Sequence, residues 1–289
     1  MLILRVNQGL MMFGIIGLGG VGILLAHFLN NAGYVPYVVT RTHYGRYVIK
    51  FGEEREVRVR LVDKLPSDVK YTLIAVKAYD TESIIDKVVN IPVIFQNGIG
   101  GVELIRKRLG VGYGAVITYG VTRSGSVAEV RGVGEVILPS SVGEVADVLR
   151  AGGANVRVVD DIEPYRWLKV IVNAAINPIT AILRARNGVI LEDPNARALV
   201  EAVVREGVDV VNRLGIRLPS DPLVETLRVA EATRDNQSSM LQDVLNRRRT
   251  EVDYINGAIV TRGREVGVST PVNYVLWLLV KSLEVNAYK

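Results

Sequence analysis

Short apolar runs alternate with helical periods through the first half of the chain, and the alternation stops near residue 162. Phe13-Gly14-Ile15-Ile16 leads without a break into Gly17-Leu18-Gly19-Gly20-Val21-Gly22, and Ile23-Leu24-Leu25-Ala26-His27-Phe28-Leu29 continues at helical spacing. Residues 34–40 predict a second strand, with Pro36 favouring a place toward the sheet edge. Residues 48–61 predict two short strands around Gly52-Glu53. The continuous apolar runs at 71–76 and 91–95 suit buried parallel strands. Helical stretches precede residue 91 and follow residue 100. Strands are expected at 111–118, 126–131, 135–138 and 155–159, with a helix at 142–151.

From residue 163 the apolar positions recur every three or four residues. Helices are expected at 164–177, 178–183, 195–214 and 222–229, with a long one near 239–262 and a last one at 271–284. Pro164 can open its helix, whereas Pro178 is expected to kink or break the next. The predicted architecture is an α/β Rossmann-type N-terminal domain over residues 11–162 and an all-helical domain over 163–289. The hinge would lie near residues 160–163, and the reaction site in the cleft between the domains.

Composition narrows the chemistry. The chain of 289 residues is long enough for one large or two ordinary domains, and no apolar run in it is long enough to span a bilayer. Residues 1–10 are too short and too polar for a signal peptide, and Met11-Met12 offers a second start. With no cysteine there is no disulfide, thiolate metal site or thiol nucleophile, which suits a cytoplasmic protein. His27 and His43 are too few for a histidine metal cluster, and no metal is expected. The net charge of +5 is scattered, and Arg247-Arg248-Arg249 is followed at once by Thr250-Glu251, so neither nucleic acid nor membrane is an expected partner.

The glycine-rich turn has the spacing of a dinucleotide site. Gly17 permits the tight turn, Gly19 the approach of a pyrophosphate, and Gly22 the close packing of the helix. The end of the second strand offers Thr40-Arg41-Thr42, with no carboxylate before Glu53 to hold a ribose diol. Arg41 is therefore the candidate for a 2′-phosphate and NADPH the expected cofactor, with NADH as the alternative. Lys77 and Asn97 stand at the carboxyl ends of the strands at 71–76 and 91–95, where ligands bind in such folds. Lys77 is expected to add positive charge near the adenosine phosphate, and Asn97 to reach the nicotinamide ribose or the substrate.

Lys169, Asn173 and Asn177, spaced by four on an otherwise apolar helix, form a polar stripe that needs partners. One reading is a lysine that donates to a carbonyl oxygen with the asparagines holding the substrate. The other is a hydrogen-bond network between helices. Asn236-Gln237-Ser238-Ser239 reads as a helix start able to hold a small carboxylate, although a plain cap needs no ligand. On one ideal helix Glu251 would lie about 80° from Asp243 and about 120° from Ser239, so a site shared by the three requires a bend.

Taken together, GLGGVG, Thr40-Arg41, Ala75-Val76-Lys77-Ala78, Gln96-Asn97-Gly98-Ile99-Gly100 and the Lys169–Pro178 segment resemble the ketopantoate reductase (2-dehydropantoate 2-reductase) family over residues 11–285. Ser238-Ser239-Met240-Leu241-Gln242-Asp243 with Thr250-Glu251-Val252-Asp253-Tyr254-Ile255-Asn256-Gly257 is the most specific match. The resemblance implies a C-terminal domain of the 6-phosphogluconate dehydrogenase C-terminal-like kind. The apolar last helix, with Val272, Val275, Leu276, Trp277, Leu279 and Val280, has to pack inside its domain or against another subunit, and a homodimer built on the C-terminal domain is expected. The resemblance also implies reduction of 2-dehydropantoate to (R)-pantoate with NADPH, a step toward coenzyme A. It makes Lys169 the proton donor, and Asn173, Asn177, Asn187, Asn236, Gln237, Ser238 and Ser239 substrate contacts. Gly17, Leu18, Gly19, Gly20, Val21, Gly22, Arg41, Lys77, Asn97, Val121 and Glu251 fall on the cofactor side. Val121 would contribute backbone only, and Glu251 would orient either Lys169 or a cofactor hydroxyl. Tyr119 stands where some members carry histidine. Another NAD(P)-dependent hydroxyacid dehydrogenase, or a non-catalytic NADP-binding regulator, remains as an alternative.

Overall fold

The computed structural model describes residues 12–287, so the question of residues 1–10 lies outside the described ones. The chain divides into two compact units. The first holds residues up to 160 except 77–79 and 97–103, and these two short pieces belong with the helical second unit.

In the first unit β1 (Met12–Ile16), β2 (Tyr37–Val39), β5 (Arg60–Leu61), β6 (Val69–Ile74), β7 (Ile91–Ile94) and β8 (Tyr113–Gly114) form a six-stranded sheet ordered β5-β2-β1-β6-β7-β8. All its pairs are parallel. The central strands β1, β6 and β7 are the near-continuous apolar runs, as burial on both faces requires. A second sheet takes β10 (Gly120–Ser124), β11 (Val127–Gly132), β3 (Tyr47–Phe51) and β4 (Glu53–Val57), and a third takes β13 (Val156–Val159), β12 (Val136–Pro139) and β9 (Val116–Ile117). Helices α1 (Gly20–Asn31), α2 (Thr81–Ile84) and α4 (Gly143–Ala151) belong to this unit, and α3 (Gly101–Leu109) begins in the second. Phe13, Ile15, Ile23, Phe28 and Leu73, each at most 2% exposed, anchor its core.

Four expectations change here. Residues 48–61 hold a third strand, β5, which joins the first sheet. Strand β2 begins only after Pro36, and the run at 111–118 divides between two sheets as β8 and β9. Strand β10, whose Gly-Val-Thr-Arg-Ser shows no apolar alternation, was not expected; it is held by antiparallel pairing with β11 rather than by burial.

The second unit is built around α5 (Glu163–Leu183), which packs against α7 (Pro194–Arg213), α8 (Pro222–Ala232), α9 (Ser239–Leu245) and α11 (Pro271–Ala287), with α6 (Val189–Glu192) and α10 (Asn256–Val266) completing it. Asp193 and Asp221 each cap a helix whose first residue is proline, Pro194 and Pro222. Short α6 was not expected. Pro178 does not break α5, which runs through it as one helix. The long helix expected at 239–262 does break. Asn246 Nδ2 donates to the Gln242 carbonyl at the end of α9, Arg247 takes φ 51°, and Thr250 is drawn away by Glu284 through bonds of 2.8 and 2.6 Å.

Candidate functional site

The glycine turn has the shape a pyrophosphate needs. Gly17 sits at φ 95°, and a Cβ there would lie 2.6 Å from the Val76 side chain. A Cβ on Gly22 would lie 2.1 Å from the Gly17 carbonyl oxygen, so the helix cannot approach the turn with any larger residue. Gly19 faces open space, with nothing within 4 Å of its would-be Cβ. No side chain caps α1 and no acidic residue lies in its first turn, so its N-terminal N–H groups and the positive end of its dipole are left for an anion. Leu18 is buried beneath this turn, and Val21 is half-buried on its helix. Val121 packs its side chain 3.1 Å from where a Gly20 Cβ would stand, so its side chain as well as its backbone shapes the loop.

Arg41 follows β2 and is three-quarters exposed. A carboxylate that local sequence does not reveal stands beside it: Asp80 accepts from Arg41 Nη2 at 2.5 Å. Tyr119 is a core aromatic, packed edge-on to Phe28 and Phe51, with its hydroxyl accepting from the Asn155 N–H. His27 is buried in α1, and burial lowers its pKa; His43 is exposed.

In the second unit the break between α9 and α10 lets two carboxylates converge. Lys77 Nζ donates to Asp243 Oδ2 at 2.9 Å and to Glu251 Oε2 at 3.0 Å. Glu251, 5% exposed, also accepts from the Ala78 N–H at 3.2 Å and from Asn97 Nδ2 at 3.2 Å. One buried carboxylate thus gathers the residues that follow β6 and β7. The loop after Asn97 is fitted closely: Ile99 N–H donates to the Tyr254 carbonyl, and a Cβ on Gly98 would lie 2.4 Å from that oxygen. Burial opposes the charge on Lys77, but Glu251 and Asp243 outweigh it and hold its pKa above the ordinary lysine value. Lys77, expected beside an adenosine phosphate, thus already shares its charge with two carboxylates. The break supplies the bend that a site shared by Asp243 and Glu251 requires. Burial raises the pKa of Asp243, against the pull of Lys77 and Arg248.

Lys169 is half-buried on α5, one turn before Asn173 and two before Asn177. Burial lowers its pKa to about 8, although the Glu251 charge works the other way. That value suits a group that gives up a proton near neutral pH. Asn177 is 6% exposed. Neither its carboxamide nor that of Asn173 takes part in a hydrogen bond within the described residues.

Ser238, 5% exposed, is the cap of α9: its hydroxyl accepts from Leu241 N–H at 3.1 Å and from Thr180 Oγ1 at 2.8 Å. Asn236 is half-buried and offers its carbonyl to the Asn187 N–H, while Gln237 and Ser239 are exposed. Asn187 Nδ2 donates to Thr233 Oγ1 at 2.9 Å, and its Oδ1 is one of two sealed side-chain atoms without a partner among the described residues.

The comparisons agree along the length of the chain. Residues 13–142 match the family model described as ketopantoate reductase PanE/ApbA, and residues 161–284 match its C-terminal counterpart. A 2-dehydropantoate 2-reductase from Pyrobaculum aerophilum is 48% identical over 273 residues, covering 94% of this chain and 98% of that one. A PanE/ApbA family ketopantoate reductase from Ralstonia eutropha JMP134 superposes with a TM-score of 0.89 at 26% identity, over 96% of this chain and all of that one. A D-mandelate dehydrogenase in complex with NADH superposes with a TM-score of 0.84 at 25% identity, over 96% of this chain and all of that one. The chain belongs to the ketopantoate reductase family.

Proposed function

We infer that the chain is a 2-dehydropantoate 2-reductase, reducing the 2-keto group of 2-dehydropantoate to the hydroxyl of (R)-pantoate with a nicotinamide cofactor. The observation that carries this reading is the polar stripe of α5, where Lys169, Asn173 and Asn177 follow one another turn by turn on an otherwise apolar helix. When bound, the reduced nicotinamide supplies the hydride that ends on the 2-keto carbon. Lys169 neutralises the charge developing on the carbonyl oxygen and passes its proton to that atom. Asn173 and Asn177 offer donors and acceptors to the substrate's carboxylate and hydroxyl from the same helix face, with Asn187 and Asn236–Ser239 as further contacts. Gly17–Gly22 would hold the pyrophosphate.

NADPH is the preferred cofactor in this reading. Arg41 carries that preference through a charge-assisted fork to the 2′-phosphate, and Glu251, held by Lys77 and Asn97, orients Lys169 or a cofactor hydroxyl. The C-terminal unit also supplies the surface for a homodimer.

The test is turnover. The purified chain should oxidise NADPH in the presence of 2-dehydropantoate and do so faster than with 2-keto acids of other side chains. Lys169→Ala should lower kcat by a factor on the order of 10²–10⁴, the usual worth of a positioned general acid. NADPH binding alone should change little. Near-normal turnover in that variant would remove Lys169 from the mechanism, and indifference to the keto acid's side chain would remove the assigned substrate.

A further inference from the structure

Pro178 lies inside α5, and a proline there has no N–H to give to the carbonyl four residues earlier, that of Ala174. In a buried helix such a carbonyl is costly to leave unpaired. Ala174 is fully buried, and its oxygen accepts instead from Asn256 Nδ2 at 3.1 Å, 82 residues later in the chain. The same Nδ2 also donates to Asn273 Oδ1 at 3.0 Å. Asn273 is tied in turn to Glu206 Oε2 through its backbone N–H at 2.9 Å and its side chain at 2.8 Å. Asn256 and Asn273 are both 0% exposed. A side-chain amide, anchored from α7 and α11, therefore stands in for the N–H that the proline removed.

The location matters more than the bond. Ala174 directly follows Asn173 and precedes Asn177 by less than a turn, whereas Lys169 lies before the interrupted hydrogen bond. We propose that Asn256 is a positioning residue for the reaction: its amide closes the α5 turn that Pro178 leaves open, and so sets the two asparagines that hold the substrate. This rests on the reading of Asn173 and Asn177 as substrate contacts. It places the effect on substrate binding and not on the proton supplied by Lys169.

Asn256→Leu keeps the branched skeleton and removes the donor. It should raise KM for 2-dehydropantoate about tenfold, the worth of one buried hydrogen bond, with a much smaller change in kcat. NADPH binding and the pH at which reduction declines should not move. Pro178→Ala restores a backbone N–H to the Ala174 carbonyl. By itself it should alter KM little, and in the P178A/N256L double variant it should return KM to within about twofold of the starting protein. A general loss of packing would not be rescued at a distance in this way. Should N256L fail to fold, Asn256→Ser, whose hydroxyl is too short to reach that carbonyl, carries the same comparison. An unchanged KM in a folded Asn256 variant, or a folded double variant that is not rescued, overturns the proposal. Absence of 2-dehydropantoate turnover in the unaltered chain would instead sink the reading of the site itself, and the positioning role with it.

Discussion

Lys169 and Arg41 show how one residue's chemistry depends on groups that local sequence does not bring near it. Burial costs the Lys169 ammonium its hydration and lowers its pKa to about 8, and Glu251 limits the fall. Reduction needs the protonated form, so kcat/KM for 2-dehydropantoate should be level below about pH 8 and fall tenfold per unit above it, while pantoate oxidation rises over the same range. A profile flat to pH 9.5 would mean that another group supplies the proton. The same depression has a cost in stability. The unfolded lysine keeps its ordinary pKa of 10.5, so between about 8 and 10.5 the unfolded chain binds more protons and stability from this group increases with pH. Lys169→Met should therefore melt higher than the parent at pH 7, with the difference shrinking toward pH 10. Arg41 carries a different lesson. Asp80 accepts from its guanidinium, so a 2′-phosphate has to compete with a carboxylate already in place. Arg41→Ala should weaken NADPH by roughly 10- to 100-fold, in line with a lost charge-assisted bond, and NADH far less. Asp80→Asn should tighten NADPH selectively. Titration of both cofactors against both variants decides it, and equal losses for the two cofactors in Arg41→Ala would leave Arg41 a structural role.

The elements that periodicity foretells are those whose own apolar faces hold them in place. The parallel strands β1, β6 and β7, the turn Gly17–Gly22 and helices α7 and α8 stand within a few residues of their expected places, because burial and local caps decide them. The two largest departures, both in the helical unit, share one cause, a partner distant in sequence. Helix α5 survives Pro178 because Asn256 supplies the missing donor. The helix expected over 239–262 breaks because Glu284 captures Thr250, and that break lets Asp243 and Glu251 meet on Lys77. Lys169, Glu251, Asn97, Asp243 and the glycines could be singled out from the chain alone, whereas the pairing of Asp243 with Lys77 and of Asp80 with Arg41 is seen only in the fold. The glycine turn itself divides into separable roles. Gly22→Ala forces a Cβ to within 2.1 Å of the Gly17 oxygen and should destabilise the fold. Gly19→Ala meets nothing within 4 Å, so its melting temperature should stay close to the parent's while NADPH binding is lost. Thermal melting and cofactor titration on the pair would separate the roles, and a G19A variant that binds NADPH normally would move the pyrophosphate elsewhere.

Assembly depends on how the last helix distributes its apolar side chains. The apolar side chains of α11 divide between core and surface. Leu276 and Val280 enter the core of the helical unit at 5% and 0% exposure, and Trp277 Nε1 donates to Asp253 Oδ1 at 2.8 Å. What is left outside is Val275, Leu278, Leu279 and Val285, between 44% and 60% exposed. Their spacing of three, four and six or seven residues keeps them on one side of a helix, so they form a stripe rather than scattered surface residues. Single exposed aliphatics are ordinary, but a continuous stripe of four on one helix is the kind of surface that soluble chains cover. A second copy is the simplest cover, since a two-fold axis lets one patch meet itself and bury both with a single surface. We therefore expect a homodimer through α11, read by light scattering at micromolar concentration as twice the mass of the 31.7 kDa chain. Leu279→Glu should shift that mass to the monomer, because pairing across the axis would bring two carboxylates together in an apolar interface. Turnover at saturating substrate should persist in the monomer, because Lys169 and the linked group Lys77, Asn97, Asp243 and Glu251 all come from one chain. A monomeric mass for the unaltered chain would refute the interface. A dimer unmoved by L279E would place it on another face.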